Sequence, residues 1–140
     1  AFMDKAELEH RTKAFGLRVI RLVATLPRSK VTDVLGYQLL RSATAIGANY
    51  REANRAESHD DFIHKLGIVE KEASETQYWL ELCQEASIGD EEEVHWLLKE
   101  SGELLAIFTA SGKTAKARRA RTTARIASNS PSAIGNSRSR

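Results

Sequence analysis

The sequence is poor in cysteine, proline and aromatic residues: its 140 residues include one cysteine, two prolines and 6% Phe, Trp and Tyr. The lone Cys83 cannot form an intramolecular disulfide, and by itself it cannot anchor a zinc site. No run of about 18 apolar residues exists, which rules out a membrane-spanning helix. The N-terminal residues also lack the basic stretch followed by an apolar stretch that is typical of a secretory signal peptide. We therefore expect a cytoplasmic protein.

The near-neutral total charge of +2 hides a strong asymmetry along the chain. Residues 113–140 hold eight basic residues and no acid, which leaves 13 basic and all 19 acidic residues for 1–112, a formal charge of −6. The tail is rich in Ala, Ser and Thr, a composition that buries too little apolar surface to offset its ordering entropy. We place a domain boundary near Gly112 and expect 113–140 to be largely disordered, with a helical extension over 113–127 as the alternative for its first part.

Three interruptions, at 27–30, 54–58 and 87–89, divide residues 1–112 into four segments. Each interruption is followed by a residue that favours a helix N-terminus: Thr32 or Asp33, then Ser58, then Asp90. The predicted helices are 4–26, 33–55, 59–86 and 91–111. Because the connections are short, neighbouring helices should be antiparallel, so we predict an all-α, up-down-up-down four-helix bundle.

Apolar residues recur at alternating spacings of four and three in every segment, the seam pattern of helices that pack near 20° to one another. The second helix carries its seam at Leu35, Leu39, Ser42, Ile46, Asn49 and Ala53, the third includes Phe62, and the fourth uses Val94, Leu98, Ser101, Leu105 and Phe108. Buried Ser42 and Asn49 need hydrogen-bond partners, and register or partner choice is the role that suits them. Apolar residues off the seams, such as Trp79 and Trp96, are candidates for a subunit interface.

Residues 39–53, LLRSATAIGANYREA, resemble the signature of one bacterial family of four-helix bundles. The family is named for proteins encoded in 23S rRNA intervening sequences, is also labelled an S-type ribosomal protein family, and includes the accessory variability protein of diversity-generating retroelements. The resemblance covers about residues 8–110 and continues through 61–63, 67–68, 71–73, 75–76 and 78–82.

The resemblance implies an antiparallel bundle that assembles as a homopentamer and has no catalytic residues or cofactor. It makes DNA, RNA or a reverse-transcriptase-like enzyme candidate partners. Arg41, Ser42, Asn49 and Glu52 are the structural signature, with Arg41 and Glu52 placed to pair with charges on neighbouring helices or subunits. This chain departs from the retroelement member because its body is acidic, so we do not carry nucleic-acid binding onto any helix of the bundle.

Three carboxylate–histidine pairs at i, i+3 invite comparison with the di-metal sites of four-helix bundles: Glu7 and His10, Asp61 and His64, Glu92 and His95. The second and third pairs would lie at opposite ends of an up-down-up-down bundle, and none of the six residues falls on a seam. We therefore predict surface residues and no metal, and an inert buried thiol at Cys83.

The basic residues of the tail are the remaining functional candidates, because clustered Lys and Arg neutralise phosphates and release counterions. They are Lys113, Lys116, Arg118, Arg119, Arg121 and Arg125. We expect a non-catalytic homo-oligomeric scaffold or adaptor whose tail binds nucleic acid or a nucleic-acid enzyme. Docking of the tail on an acidic protein, a structural protein with an inert tail and a metal-dependent bundle oxidoreductase stay open as alternatives.

Overall fold

The computed structural model describes residues 3–129, which form four α-helices. α1 spans Lys5–Ala24, α2 Lys30–Ala53, α3 His59–Glu85 and α4 Glu91–Ser128. The predicted all-α fold is confirmed, and the predicted bounds of the first three helices agree with the observed ones to within three residues. The fourth helix begins as predicted and ends much later.

Side-chain caps fix where the helices begin. The Oγ of Ser58 accepts from the third amide of α3 at 3.0 Å and the carboxylate of Asp90 does the same for α4, as the sequence predicts. α2 begins earlier than predicted, because Ser29 and not Thr32 or Asp33 is its cap. Ser29 is extended, with φ −159°, and its Oγ accepts from the Thr32 amide at 3.1 Å.

Ion pairs define the antiparallel order of the helices. Arg11 of α1 donates two hydrogen bonds of 2.7 Å to Glu100 of α4. Seven residues further along α1, Arg18 bonds Glu93, which lies seven residues earlier in α4. Pairs of contacts show the same reversed order for α1 with α2, for α2 with α3 and for α3 with α4, so the predicted up-down-up-down bundle is confirmed.

The core differs from the predicted seams by single-residue shifts. Tyr50, and not Asn49, is buried in α2, where its ring lies 5.2 Å from that of Phe108. Gly36 is likewise buried where Leu35 was predicted to be. In α3 and α4 the buried residues are Ile63, Leu97 and Leu104, each one position away from the predicted Phe62, Leu98 and Leu105. The buried positions still alternate by three and four, as 36, 39, 43, 46, 50 and 53 do in α2 and 94, 97, 101, 104 and 108 do in α4, so the repeat is the predicted one and its phase differs by one residue.

α4 crosses the domain boundary predicted at Gly112 without interruption and continues to Ser128. The expectation of a largely disordered tail therefore does not hold for residues 113–128, and the helical alternative for 113–127 is confirmed. Ala and Arg are strong helix formers, and no proline precedes Pro131 in this stretch. Residues 130–140 lie outside the described part of the chain.

Two helical glycines offer a matched test of helix packing. A Cβ added at Gly67 would meet no heavy atom of residues 3–129 within 4 Å, apart from its two chain neighbours and the backbone of its own helix. A Cβ at Gly47 would lie 3.3 Å from the Oγ1 of Thr12, whose hydroxyl is already bonded to carbonyls of α1. Gly67→Ala should therefore stabilise the protein by up to about 1 kcal/mol, and Gly47→Ala by less or not at all. Urea unfolding checks this difference, and equal gains for both variants would contradict the close packing at Gly47.

Candidate nucleic-acid interface

The C-terminal part of α4, residues 113–128, is called the basic extension below. It carries six cations and no acid, and every one of the six is exposed to solvent. They are the predicted tail residues Lys113, Lys116, Arg118, Arg119, Arg121 and Arg125. The helix thus brings onto one rod the side chains that the sequence places in an irregular tail.

The basic extension leaves the bundle near the start of α3. Ala115 is the last buried residue of α4, and its carbonyl lies 2.9 Å from the Nε2 of His59. One turn later Arg119 pairs with Asp60 at 3.5 Å. Residues 120–128 are all exposed, and at about 1.5 Å per residue they project roughly 13 Å beyond these contacts.

Three of the arginines share one face of the basic extension. Arg118, Arg121 and Arg125 follow one another at spacings of three and four, which places them on one side of an α-helix over about 10 Å. The described extension contains no aromatic residue, so it offers phosphate contacts without base stacking. Its cations also complement the negative end of the helix dipole, which helps a helix without packing partners to persist.

The predicted signature residues lie on α2, and three of them contact α3. Arg41 bonds Glu75 at 2.6 Å and lies 3.4 Å from Glu72, while Glu52 pairs with Lys65 at 3.7 Å. The hydrogen bond from Arg41 lowers the pKa of Glu75 below its ordinary value. Arg41 and Glu52 thus form ion pairs with the neighbouring helix α3.

The other two signature residues differ from each other in burial. Ser42 is fully buried, and its Oγ accepts a hydrogen bond of 2.9 Å from Thr76 on α3. Asn49 is only half-buried and donates to the carbonyl of Ala45 one turn earlier in its own helix. Ser42 thus supplies a polar contact between helices, whereas the seam position predicted for Asn49 is wrong.

The three carboxylate–histidine pairs do not come together to form a metal site in residues 3–129. Five of the six side chains are exposed, Asp61 is half-buried, and residues 3–129 contain no group of three or more His, Cys, Asp or Glu placed to hold a metal ion. Cys83 is buried, and desolvation raises the pKa of its thiol. Within the same range, no helix combines the length and hydropathy that a membrane crossing needs.

The apolar residues off the predicted seams divide between the core and the surface. Tyr50, Ile63, Leu97 and Leu104 belong to the core. Trp96 is partly covered by the guanidinium of Arg18, 3.5 Å from its ring centre. The large apolar side chains left most open on the bundle are instead Leu17, Ile20, Val31, Val34, Tyr37 and Tyr78. Their exposure depends on how the helices are rotated against one another, which periodicity alone does not define.

Comparison with known proteins agrees with this fold. The profile described as 23S rRNA-intervening sequence protein matches residues 5–110, and the chain belongs to that family. A crystal structure from Bacteroides thetaiotaomicron, described as a protein with unknown function from the S23 ribosomal protein family, is 36% identical. The match has a TM-score of 0.73 and covers 79% of this chain and 99% of that one. No curated protein matches the chain. The match to the family ends at residue 110, before the basic extension begins. The signature residues of the family lie on α2, whereas the candidate interface lies on α4.

The buried hydroxyl pair between α2 and α3 should show energetic coupling. Thr76→Val should lower the free energy of unfolding by about 1–2 kcal/mol, because it leaves the Ser42 hydroxyl without its partner on α3. Ser42→Ala should cost a similar amount, and the double variant less than the sum of the two. Urea unfolding of the four proteins measures the coupling, and strict additivity would show that the contact contributes nothing between the helices.

Proposed function

We propose that this member of the family is a non-catalytic, homo-oligomeric adaptor that binds nucleic acid through the basic extension of α4. The observation that carries the proposal is the run of six exposed cations, with no acid, on a helix that projects beyond an acidic body. Charge of one sign on a projecting rod attracts a polyanion while the body repels it. Binding is therefore restricted to the extension.

Phosphate neutralisation is the chemistry that these side chains support. Arg and Lys contact phosphate oxygens and release counterions, which gives affinity that is independent of sequence and falls steeply with salt. Arg119 already shares its charge with Asp60, so the cations most available to phosphate are Lys113, Lys116 and the three arginines of the common face. Without aromatic side chains, the extension favours duplexes and backbone contacts over the reading of unstacked bases.

Self-association supports the same function by adding copies of the basic extension. A single short helix with five or six cations binds nucleic acid weakly, whereas several such helices on one particle gain affinity from multivalency. The open apolar side chains on α1, α2 and α3 favour self-association, because a monomer in solution rarely leaves such residues grouped together. We propose the homopentamer that the family resemblance implies.

A pair of charge variants tests the proposed binding. Arg121→Gln with Arg125→Gln removes two cations from the projecting part of the extension and keeps good helix formers there. We expect duplex DNA or RNA to bind on the order of tenfold more weakly at moderate salt, and the slope of log K against log salt to fall by roughly 2. Fluorescence anisotropy across a salt series measures both quantities.

The matched control is Lys30→Gln with Lys99→Gln, which removes the same charge from exposed positions on the body. This control should bind duplexes as the unchanged protein does. Equal losses in the two double variants would mean that only net charge matters, and an unchanged affinity in the extension variant would leave a structural protein with an inert extension. Substitution is preferable to truncation at residue 112, because Ala115 still packs in the bundle.

A further inference from the structure

The uncharged side chains of the basic extension are arranged in a line along its helix. Ala117, Ala120, Ala124 and Ala127 follow one another at spacings of three, four and three, so they share one side of the helix, and all four are exposed. They are called the alanine line below. The line carries no charge and no hydrogen-bonding side chain, and it makes this side of the helix slim.

Cations lie on both sides of the alanine line. Since successive residues of an α-helix are about 100° apart around its axis, Arg118, Arg121 and Arg125 lie about 110° to one side of the line. Lys116 lies about 60° to the other side, and Arg119 lies about 120° to that side. The extension thus has a neutral, slim side with positive charge along both flanks.

The alanine line is turned away from the bundle. Phe108, Gly112 and Ala115 are the last buried residues of α4, and they define the side of the helix that faces the core. The alanine line lies about 130° from that side around the helix axis. α4 also has no Asp or Glu from residue 104 to residue 128. A polyanion that approaches the line therefore meets no negative side chain on this part of the helix.

We infer that the basic extension lies as an α-helix in the major groove of B-form DNA, with the alanine line toward the base edges and the flanking cations on the phosphates of the two strands. The inference rests on the proposed function, since it names the kind of duplex and the groove that the extension binds. Alanine methyl groups make no hydrogen bonds to base edges, so the contact tolerates any sequence.

The dimensions of the extension match those of the groove. An α-helix with its side chains is about 10–12 Å across, and the major groove of B-form DNA is about 12 Å wide and about 8.5 Å deep. Because alanine ends at its methyl group, the backbone of the extension can approach the floor of the groove closely. Residues 117–127 span about 15 Å, which corresponds to about four base pairs.

The side of the extension opposite the alanine line is not needed for this contact. Thr122 and Ile126 lie there, on the continuation of the side that α4 buries in the bundle, and both are exposed. A duplex that covers the alanine line leaves these two side chains open. They are therefore the natural positions for control substitutions.

The form of the duplex tests the contact directly. The major groove of A-form RNA is deep and too narrow for side chains to read, so it does not admit the extension. Cytosines that carry a glucosylated 5-hydroxymethyl group fill the major groove of DNA and leave its phosphates unchanged. Fluorescence anisotropy of the full chain compares plain DNA, RNA and glucosylated DNA of one base sequence at one salt concentration. We expect plain DNA to bind on the order of tenfold more tightly than the other two.

A pair of variants gives an independent readout. Ala120→Leu with Ala124→Leu widens the helix on the alanine line, and it preserves the charge and the helix propensity of the extension. We expect its affinity for plain DNA to fall to that for RNA, while its affinity for RNA does not change. Thr122→Leu with Ile126→Leu is the matched control, because it places two leucines at the same spacing on the opposite side of the helix. The control should bind plain DNA as the unchanged protein does, and circular dichroism should find equal helicity in both variants.

The outcomes that overturn this inference differ from those that overturn the proposed function. Equal affinity for the three duplexes, tighter binding of RNA, or equal effects of the two leucine pairs would refute insertion in the major groove. If Arg121→Gln with Arg125→Gln still weakened binding in that case, the extension would bind phosphates from outside the groove, and the proposed function would stand. Failure of the full chain to bind any of the three duplexes would refute both.

Discussion

The length of α4 is the constraint on which the rest of the structure depends. α1, α2 and α3 have 20 to 27 residues, whereas α4 has 38, and antiparallel packing gives it partners only as far as Ala115 and Arg119. The remaining turns must lie in solvent. Residues 120–128 include three Ala and two Arg, which are strong helix formers, and no acid, so the projecting part is both helical and basic.

The two ends of the bundle therefore differ in the surface that they expose. The basic extension leaves at the end where α3 begins and α4 loses its partners. The open apolar side chains on α1, α2 and α3 all lie in the opposite half, toward the end of α1, the start of α2 and the end of α3. The two functions that we propose, binding of nucleic acid and self-association, therefore occupy separate regions and do not compete for surface.

Much of this fold is predictable from the sequence, because helix ends and helix faces are local properties. Ser58 and Asp90 identify their helices, and the alternation of three and four identifies the core to within one residue. The errors have physical causes. Tyr50 is buried in place of Asn49 because spacings of three and four fit two phases of the same helix, and the sequence does not decide between them. Residues 113–128 have a composition that suits either a solvated coil or an exposed helix.

The candidate surfaces were predictable to different degrees. The six cations of the extension are evident from charge alone, although their placement on one rod requires the helix. The open surface at Leu17 and Ile20 was not predictable, since it depends on the rotation of α1 against α2 and on the close approach of the two helices at Gly47. Tertiary packing decides such features, and local sequence patterns do not report it.

Amide hydrogen exchange of the full chain, with and without a short duplex, tests the central claim most directly. Backbone amides of 120–128 have no packing partners, so they should exchange fast in the free protein and become protected when the duplex binds. Amides in the bundle should not change. Protection that appears on the bundle while 120–128 continue to exchange freely would contradict the assignment of nucleic-acid binding to the basic extension.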